Sequence, residues 1–270
     1  MPAALPTGDA VKTMILCGGR GTRLREHTET LPKPMVEVGG HPIVWHIMRI
    51  YAHHGMNEFV LCLGYLGDAI KKHFLSFRAM NTDFTVELGQ RSGLTFHDES
   101  LAEDGWKVTL ADTGDEVMTG ARIKRASRYL DGETFAVTYG DGVSDVDLGA
   151  LREFHRAHGK LATVTGVRPP GRFGELEVAG TQVSGFNEKP QVGQGLINGG
   201  FFLFEPGFLD YLSADPGCIL ERDPLMRCAA DGQLHVFEHS GFWQCMDTFR
   251  DWEALEKAWQ RGDAPWKVWG

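Results

Sequence analysis

A short apolar strand that breaks into glycines constrains the fold of this chain more than any other feature. Thr13 to Cys17 predicts a buried strand, and Gly18-Gly19-Arg20-Gly21 follows at once. Glycines in that place let the backbone pass close to a ligand and point its amides at an anion. The segment lacks the Gly-Lys-Ser/Thr of a P-loop, and Leu24 stands where the dinucleotide fingerprint has its third glycine.

Strands and helices alternate after this loop. Helical spacing of apolar residues begins at Pro42, a continuous apolar run covers Phe59 to Leu63, and a second helical stretch covers Asp68 to Phe77. This alternation predicts an α/β fold with a Rossmann-like, mostly parallel sheet flanked by helices. Residues 175–178 and 183–186 predict a hairpin that adds a small β-rich elaboration.

Further elements are predicted in the second half. Val117 to Leu130 predicts a helix with a basic face, and Thr134 to Tyr139 predicts a buried strand. Ile197 to Phe204 predicts a strand that glycines interrupt, and Trp252 to Trp259 a closing helix. We expect one domain over residues 13–270, with an extended or disordered extension at 1–12.

Cations gather beside the glycine loop although the chain as a whole is acidic. Lys and Arg total 27 against 36 Asp and Glu, a formal net charge of −9. Such a surface repels nucleic acid and anionic membranes, so we expect neither as a partner. Arg23, Arg25 and Lys33 lie close to the glycines, which indicates bound phosphate groups. An ordinary solvated loop is the alternative.

The cysteines and the N-terminus bear on location. The five cysteines include no Cys-x-x-Cys pair, which favours reduced thiols. Residues 1–12 lack the apolar core of a signal peptide or anchor. We therefore expect a cytoplasmic protein.

Two aspartates are candidate metal ligands. Asp141 lies between two glycines directly after a predicted strand, where open α/β sheets place ligands. A carboxylate there could hold a magnesium ion that also binds phosphate oxygens, although turn formation is an alternative role. Asp247 precedes Thr248, and this pair could instead cap the last helix.

The residues 16–24, followed by Leu31-Pro32-Lys33-Pro34-Met35, resemble the signature of sugar nucleotidylyltransferases. The similarity continues along nearly the whole chain. It includes the segments 42–48, Asp112-Thr113-Gly114, 138–142, 169–174, 198–202 and 242–248. These segments resemble the members of the family that use CTP and glucose 1-phosphate, which implies CDP-glucose and pyrophosphate as products.

The resemblance also implies roles for individual residues. Arg23, Lys33 and Asp141 would be catalytic, and Asp141 and Asp247 would bind Mg2+. The nucleotide-binding set would be Leu16, Cys17, Gly18, Gly19, Gly21, Thr22, Arg23, Lys33, Thr113, Gly114 and Gly140. The sugar-phosphate-binding set would be Gly174, Glu188, Lys189 and Asn198. A homo-oligomer is expected from the same resemblance.

Three alternatives stay open at this point. A transferase acting with UTP or dTTP is the nearest, because side chains alone do not decide the base. A non-catalytic nucleotide-binding regulator of the same fold would bind CTP and release no pyrophosphate. A dinucleotide-dependent oxidoreductase is disfavoured by the broken glycine fingerprint.

Overall fold

The fold is built around one mixed sheet with helices packed on its faces. The computed structural model describes residues 11–19, 31–88, 93–97, 100–168, 175–179, 182–187 and 195–270. Its α-helices are Ile43–His53 (α1), Gly67–Asn81 (α2), Thr119–Ala126 (α3), Leu148–His158 (α4), Asp223–Ala230 (α5) and Phe249–Arg261 (α6). Shorter 3-10 helices are Lys33–Met35, Ser127–Tyr129 and Pro206–Tyr211.

The strands fall into one large sheet and four small ones in the described part of the chain. They are Lys12–Cys17 (β1), Glu37–Val38 (β2), His41–Pro42 (β3), Glu58–Leu63 (β4), Phe84–Glu87 (β5), Gly93–Phe96 (β6), Lys107–Asp112 (β7), Phe135–Tyr139 (β8), Gly142–Ser144 (β9), Ala162–Val167 (β10), Glu175–Ala179 (β11), Gln182–Asn187 (β12), Ile197–Asn198 (β13), Phe202–Phe204 (β14), Leu234–His239 (β15) and Trp243–Cys245 (β16).

Four parallel strands form the half of the large sheet that positions the site. Their order is β8-β1-β4-β7, and β1 pairs with both β4 and β8 in parallel register. Parallel strands all end at the same edge of a sheet. The glycines after Cys17, the Gly140-Asp141 turn after β8 and the Thr113-Gly114 turn after β7 therefore meet there. The predicted α/β class with a mostly parallel sheet is confirmed.

The side chains of β1 show how the sheet is buried on both faces. Met14 and Leu16 belong to one hydrophobic cluster, and Ile15 and Cys17 belong to the other. Successive side chains of a strand point to opposite faces, so a continuous apolar run is buried on both. None of the helices in the described ranges is both long and apolar enough to cross a membrane.

The other half of the sheet is antiparallel where β14 joins it. β14 pairs with β8 and with the start of β10, while β13 pairs with the end of β10. The predicted strand at 197–204 is thus split into two. Gly200 and Phe201 both have positive φ, at 78° and 46°, and this left-handed backbone breaks the strand. Phe201 is buried and stacks on Tyr51, so packing holds a conformation that bulky residues avoid.

Several other expectations are refined. The predicted hairpin is present as β11 and β12. The helix expected at 117–130 is shorter, because α3 ends at Ala126 and a 3-10 turn follows. Three elements near the end of the chain, α5, β15 and β16, were not predicted, because α5 and β16 are short and the apolar residues of β15 are interrupted by polar ones.

The C-terminal segment is anchored on a buried histidine. His46 of α1 is fully buried, and its Nε2 donates to the carbonyl oxygen of Val38 at 2.8 Å. The indole Nε1 of Trp266 donates to the other ring nitrogen at 3.3 Å. Both nitrogens are used only if the ring is neutral, and burial lowers the pKa of His46 to about 4.

We expect the stability of the fold to decrease in mild acid because of His46. The unfolded chain takes up this proton near pH 6.5, and the folded chain near pH 4. The contribution of neutral His46 to the free energy of unfolding is therefore complete above pH 6.5 and is lost as the pH falls towards 4. Between pH 7 and pH 5 the wild type should lose about 2 kcal/mol more unfolding free energy than His46→Gln. Gln keeps a donor and an acceptor but does not titrate. Parallel urea titrations check this, and equal losses in both proteins would contradict it.

Candidate active site

A cavity of about 370 Å³ opens at the carboxyl edge of the parallel strands. Many of the residues singled out in the sequence line it: Leu16, Cys17, Gly18, Gly19, Lys33, Gly140, Asp141 and Asp247. They come from the turns after β1 and β8, from the 3-10 helix at 33–35 and from the segment before α6. Residues far apart in the sequence therefore share one site.

Lys33 joins the two candidate metal ligands. Its Nζ donates to Asp141 Oδ2 at 2.6 Å and to Asp247 Oδ1 at 2.6 Å. Burial by itself would lower the pKa of Lys33, but the charge of Asp141 and the hydrogen bonds to both aspartates raise it above its usual value. The ammonium therefore keeps its charge and reduces the repulsion between the two carboxylates.

A short antiparallel ladder brings Asp247 to Asp141. β9 follows Asp141 and pairs with β16, and the amide of Met246 donates to the carbonyl oxygen of Asp141 at 2.9 Å. The helix cap considered for this segment is Thr248, whose hydroxyl accepts from the amide of Asp251 in a capping box. The carboxylate of Asp247 is therefore not needed as the cap and faces Lys33.

The donor set of this cluster suits a divalent cation. Ligand atoms of Asp141, Cys245 and Asp247 lie within 4.8 Å of one another. Burial, together with the charge of Asp141, raises the pKa of the Cys245 thiol, which stays protonated. Carboxylate oxygens are the ligands that magnesium prefers, so the two aspartates fit such an ion. The Lys33 ammonium marks the position where positive charge is favoured.

Arg122 of α3 holds the loops of the site together. Only 4% of this residue is exposed, and its guanidinium donates to the carbonyl oxygens of Gly18, Leu63 and Gly114 at 2.8–2.9 Å. It also donates to the hydroxyl of Thr113 at 2.8 Å. These acceptors lie at the ends of β1, β4 and β7, so one planar cation fixes three neighbouring turns.

The basic face predicted on this helix is therefore wrong for Arg122, which is buried. Two other basic residues of this helix, Lys124 and Arg125, also donate to backbone carbonyl groups. Lys124 donates to the carbonyl oxygen of Leu209, and Arg125 to those of Thr113 and Ala214. Buried carbonyl groups at loop ends need donors, and these side chains supply them.

Two glycines of the site are required by close approach. A Cβ on Gly18 would lie 2.1 Å from the guanidinium carbon of Arg122. A Cβ on Gly140 would lie 2.7 Å from the carbonyl oxygen of Leu16. Packing against Arg122 therefore requires a glycine at position 18, whether or not a ligand is bound.

The remaining predicted site residues have different positions. Thr113 and Gly114 are outside the described lining of the cavity and serve as acceptors for Arg122. Asn198 is exposed, and its amide donates to the hydroxyl of Tyr139, which does line the cavity. Seven residues singled out in the sequence lie outside the described ranges: Gly21, Thr22, Arg23, Arg25, Gly174, Glu188 and Lys189.

Sequence reasoning missed the roles of Arg122 and Tyr139. Arg122 lies between Ala121 and Ile123, both fully buried, and this apolar flank was the available signal. Tyr139 directly precedes the Gly140-Asp141 turn, so its position at a ligand-binding edge was also available. A helical arginine or a tyrosine at a strand end does not by itself indicate a residue that shapes an active site.

Comparisons with known proteins agree with this geometry. Residues 12–244 match the model of the nucleotidyl transferase family. The glucose-1-phosphate cytidylyltransferase of Salmonella typhimurium is 48% identical over 260 residues, covering 96% of this chain and all of that protein. The probable glucose-1-phosphate cytidylyltransferase of Bacillus subtilis is 41% identical with the same coverage. The chain belongs to the nucleotidyl transferase family.

A solved structure supports the fold independently. A UDP-glucose pyrophosphorylase complexed with UDP-glucose superimposes with a TM-score of 0.66 over 93% of this chain and 99% of that one. The sequences are 14% identical, so this likeness shows the shared α/β fold alone.

We expect Arg122→Lys to destabilise the protein strongly. A lysine has one ammonium group in place of the planar fork and leaves carbonyl groups of two loops without donors. The free energy of unfolding should fall by about 3 kcal/mol, on the scale of a buried polar group left unsatisfied. The matched control is Arg128→Lys, an exposed position just beyond α3, which should change it by less than about 0.5 kcal/mol. Equal urea midpoints for the wild type and Arg122→Lys would contradict the role given to Arg122.

Proposed function

We propose that this protein transfers the cytidylyl group of CTP to α-D-glucose 1-phosphate, giving CDP-glucose and pyrophosphate. One observation carries the assignment. Two relatives named for this activity are 48% and 41% identical over 96% of the chain. The cavity with Lys33, Asp141 and Asp247 at the carboxyl edge of the sheet supports it, since this is where open α/β folds bind ligands.

The reaction asks the protein for alignment and charge balance. A phosphate oxygen of glucose 1-phosphate attacks the α-phosphorus of CTP, and the bond to the β-phosphate bridge breaks to release pyrophosphate. The attacking phosphate is already ionised at neutral pH, so no strong general base is needed. Holding two polyanions in line and offsetting their charge therefore accounts for the catalysis.

The nucleotide half is proposed to lie over the glycine loop. The backbone of Leu16 to Gly19 lines the cavity. With Gly21, Thr22 and Arg23 it would surround the triphosphate. Lys33 lies between the aspartates in the same cavity. If a metal ion offset the charge of the aspartates, the Lys33 ammonium would be available to the departing pyrophosphate. Thr113 and Gly114 would contribute through the turn that Arg122 fixes.

The sugar-phosphate half is proposed to lie on the antiparallel side of the sheet. Asn198 precedes the left-handed Gly200-Phe201 backbone and is exposed to solvent. Lys189 would supply a point charge for the phosphate, and Glu188 and Gly174 would meet the sugar. Asn198 is the described member of this set.

Mg2+ is the proposed cofactor, held by Asp141 and Asp247. When bound, it would offset the negative charge that develops at the α-phosphate. The two carboxylates support this because both accept from one cation, the Lys33 ammonium, and therefore lie close together. Members of the family typically use magnesium.

Homo-oligomerisation, which the sequence resemblance implies, is also proposed. Exposed apolar side chains on the β5-β6 hairpin and on α2 support it, because large apolar patches usually mark interfaces. The most exposed of them are Leu75, Met80, Leu88 and Leu94.

A pyrophosphate-release screen tests the proposed function. CTP, UTP, dTTP and GTP are each incubated with glucose 1-phosphate, mannose 1-phosphate and galactose 1-phosphate in the presence of Mg2+. We expect CTP with glucose 1-phosphate to give the highest kcat/KM, by at least about tenfold over any other pair. Faster turnover of UTP or dTTP would contradict the cytidylyl assignment. CTP binding without pyrophosphate release would indicate a non-catalytic regulator.

A further inference from the structure

A carboxylate that the proposed reaction does not use lies at the rim of the cavity. Glu221 Oε1 accepts from the hydroxyl of Tyr139 at 2.5 Å, and its Oε2 accepts from the hydroxyl of Thr119 at 2.7 Å. Tyr139 and Thr119 both line the cavity. Glu221 thus connects the end of β8 to the beginning of α3.

Hydrogen bonds hold the backbone around Glu221, and the contacts with Tyr139 and Thr119 hold its exposed carboxylate. The amides of Met118 and Ala121, at the start of α3, donate to the carbonyl oxygens of Pro216 and Cys218. The amide of Leu220 donates to Thr119 Oγ1 at 2.9 Å. The segment 216–221 and the helix therefore hold each other, with Glu221 at the cavity end.

The hydrogen bonds continue from Tyr139 to Asn198. Asn198 Nδ2 donates to the Tyr139 hydroxyl at 3.0 Å, and Asn198 Oδ1 accepts from the amide of Gly200 at 2.9 Å. The rest of this loop is already held. The indole of Trp243 donates to the carbonyl oxygen of Gly199, and Thr165 Oγ1 donates to that of Phe201. The carboxamide is held at Oδ1 by Gly200 and at Nδ2 by Tyr139, so the position of its NH2 group depends on Tyr139.

Glu221 decides which way the tyrosine hydroxyl points. An ionised carboxylate only accepts hydrogen bonds, so the single phenolic proton must go to Glu221. The oxygen lone pair then faces Asn198, which must present its NH2 group. Burial, together with Glu221, raises the pKa of Tyr139, so the proton stays on the phenol. Without Glu221 the phenolic proton would have no fixed acceptor, and the hydroxyl would no longer be held as an acceptor for Asn198 Nδ2. The carboxamide would then be held only through the Gly200 amide at its Oδ1.

The ordered amide keeps groups for a ligand. An amide side chain has two N–H donors and two acceptor lone pairs. In Asn198 one donor binds Tyr139 and one lone pair binds Gly200. One donor and one acceptor remain, on an exposed side chain beside the cavity. This pair is complementary to a sugar hydroxyl, which also donates and accepts.

We propose that Glu221 is a positioning residue for the hexose 1-phosphate, acting through Tyr139 on the carboxamide of Asn198. The proposal rests on the proposed function, in which Asn198 contacts the sugar phosphate. It assigns Glu221 and Tyr139 to substrate orientation. It predicts that replacing them affects the KM for glucose 1-phosphate more than the KM for CTP.

A double-mutant cycle tests the chain of contacts. Steady-state kinetics with CTP and glucose 1-phosphate are measured for Glu221→Ala, Tyr139→Phe and the double variant. Each single change should raise the KM for glucose 1-phosphate about tenfold, the scale of one hydrogen bond. The double variant should be no worse than either single variant, because both break the same connection. The KM for CTP should change by less than about twofold.

A conservative variant separates positioning from support of the fold. Glu221→Gln keeps an oxygen that accepts from Tyr139, so its KM for glucose 1-phosphate should stay within about threefold of the wild type. The matched control is Glu153→Ala, an exposed glutamate on α4, which should match the wild type. Circular dichroism melts of all variants identify any that fail to fold.

Several outcomes would overturn the proposal. Multiplying effects in the double variant would mean that Glu221 and Tyr139 act independently. An equal rise in the KM for CTP, or a Glu221→Gln variant as impaired as Glu221→Ala, would indicate a structural role only. An unchanged KM for glucose 1-phosphate in Asn198→Ala would mean that Glu221 and Tyr139 do not act through Asn198. CDP-glucose formation by that variant would leave the proposed function intact. If the screen selects another substrate pair, the cycle is measured with that pair and judged by the same results.

Discussion

The ammonium of Lys33 between the carboxylates of Asp141 and Asp247 is the interaction on which the arrangement of the site depends. Its three members come from the turn after the glycine loop, the end of β8 and the segment before α6. Two carboxylates this close need positive charge between them. In this structure the protein supplies it from its own chain. The repulsion between the two carboxylates is therefore partly offset before any phosphate arrives.

Arg122 performs a different task with the same kind of charge. Its guanidinium spreads its hydrogen bonds over neutral acceptors at the ends of three parallel strands. That geometry requires the planar fork of arginine and the missing side chain of Gly18. In a chain of net charge −9, buried and half-buried cations at one sheet edge make a local region suited to polyanions. Lys33 provides positive charge at the cavity, and Arg122 fixes the turns at the ends of the three strands.

The sequence was sufficient for the class of fold and insufficient for the contacts within the site. Apolar runs such as Phe59 to Leu63 predict buried parallel strands, because both faces of the sheet are covered. The sequence alone did not show that Arg122, rather than Lys124 or Arg125, is the buried cation of α3. Its burial depends on how loops from three strands pack around it. The break of the strand at Phe201 depends on its stacking against Tyr51, a contact across 150 positions that no local pattern carries. The roles of Arg23, Glu188 and Lys189 stay predictions.

Binding of Mn2+ in the absence of nucleotide tests the central claim, that Lys33 is the internal counter-ion of the aspartate pair. Electron paramagnetic resonance follows free Mn2+ during titration of the wild type, Lys33→Met and the surface control Lys257→Met. Removing the ammonium takes one positive charge away from the two carboxylates, so Lys33→Met should bind Mn2+ at least about tenfold more tightly than the wild type, and Lys257→Met should not differ from it. Equal or weaker Mn2+ binding by a folded Lys33→Met protein would contradict the account.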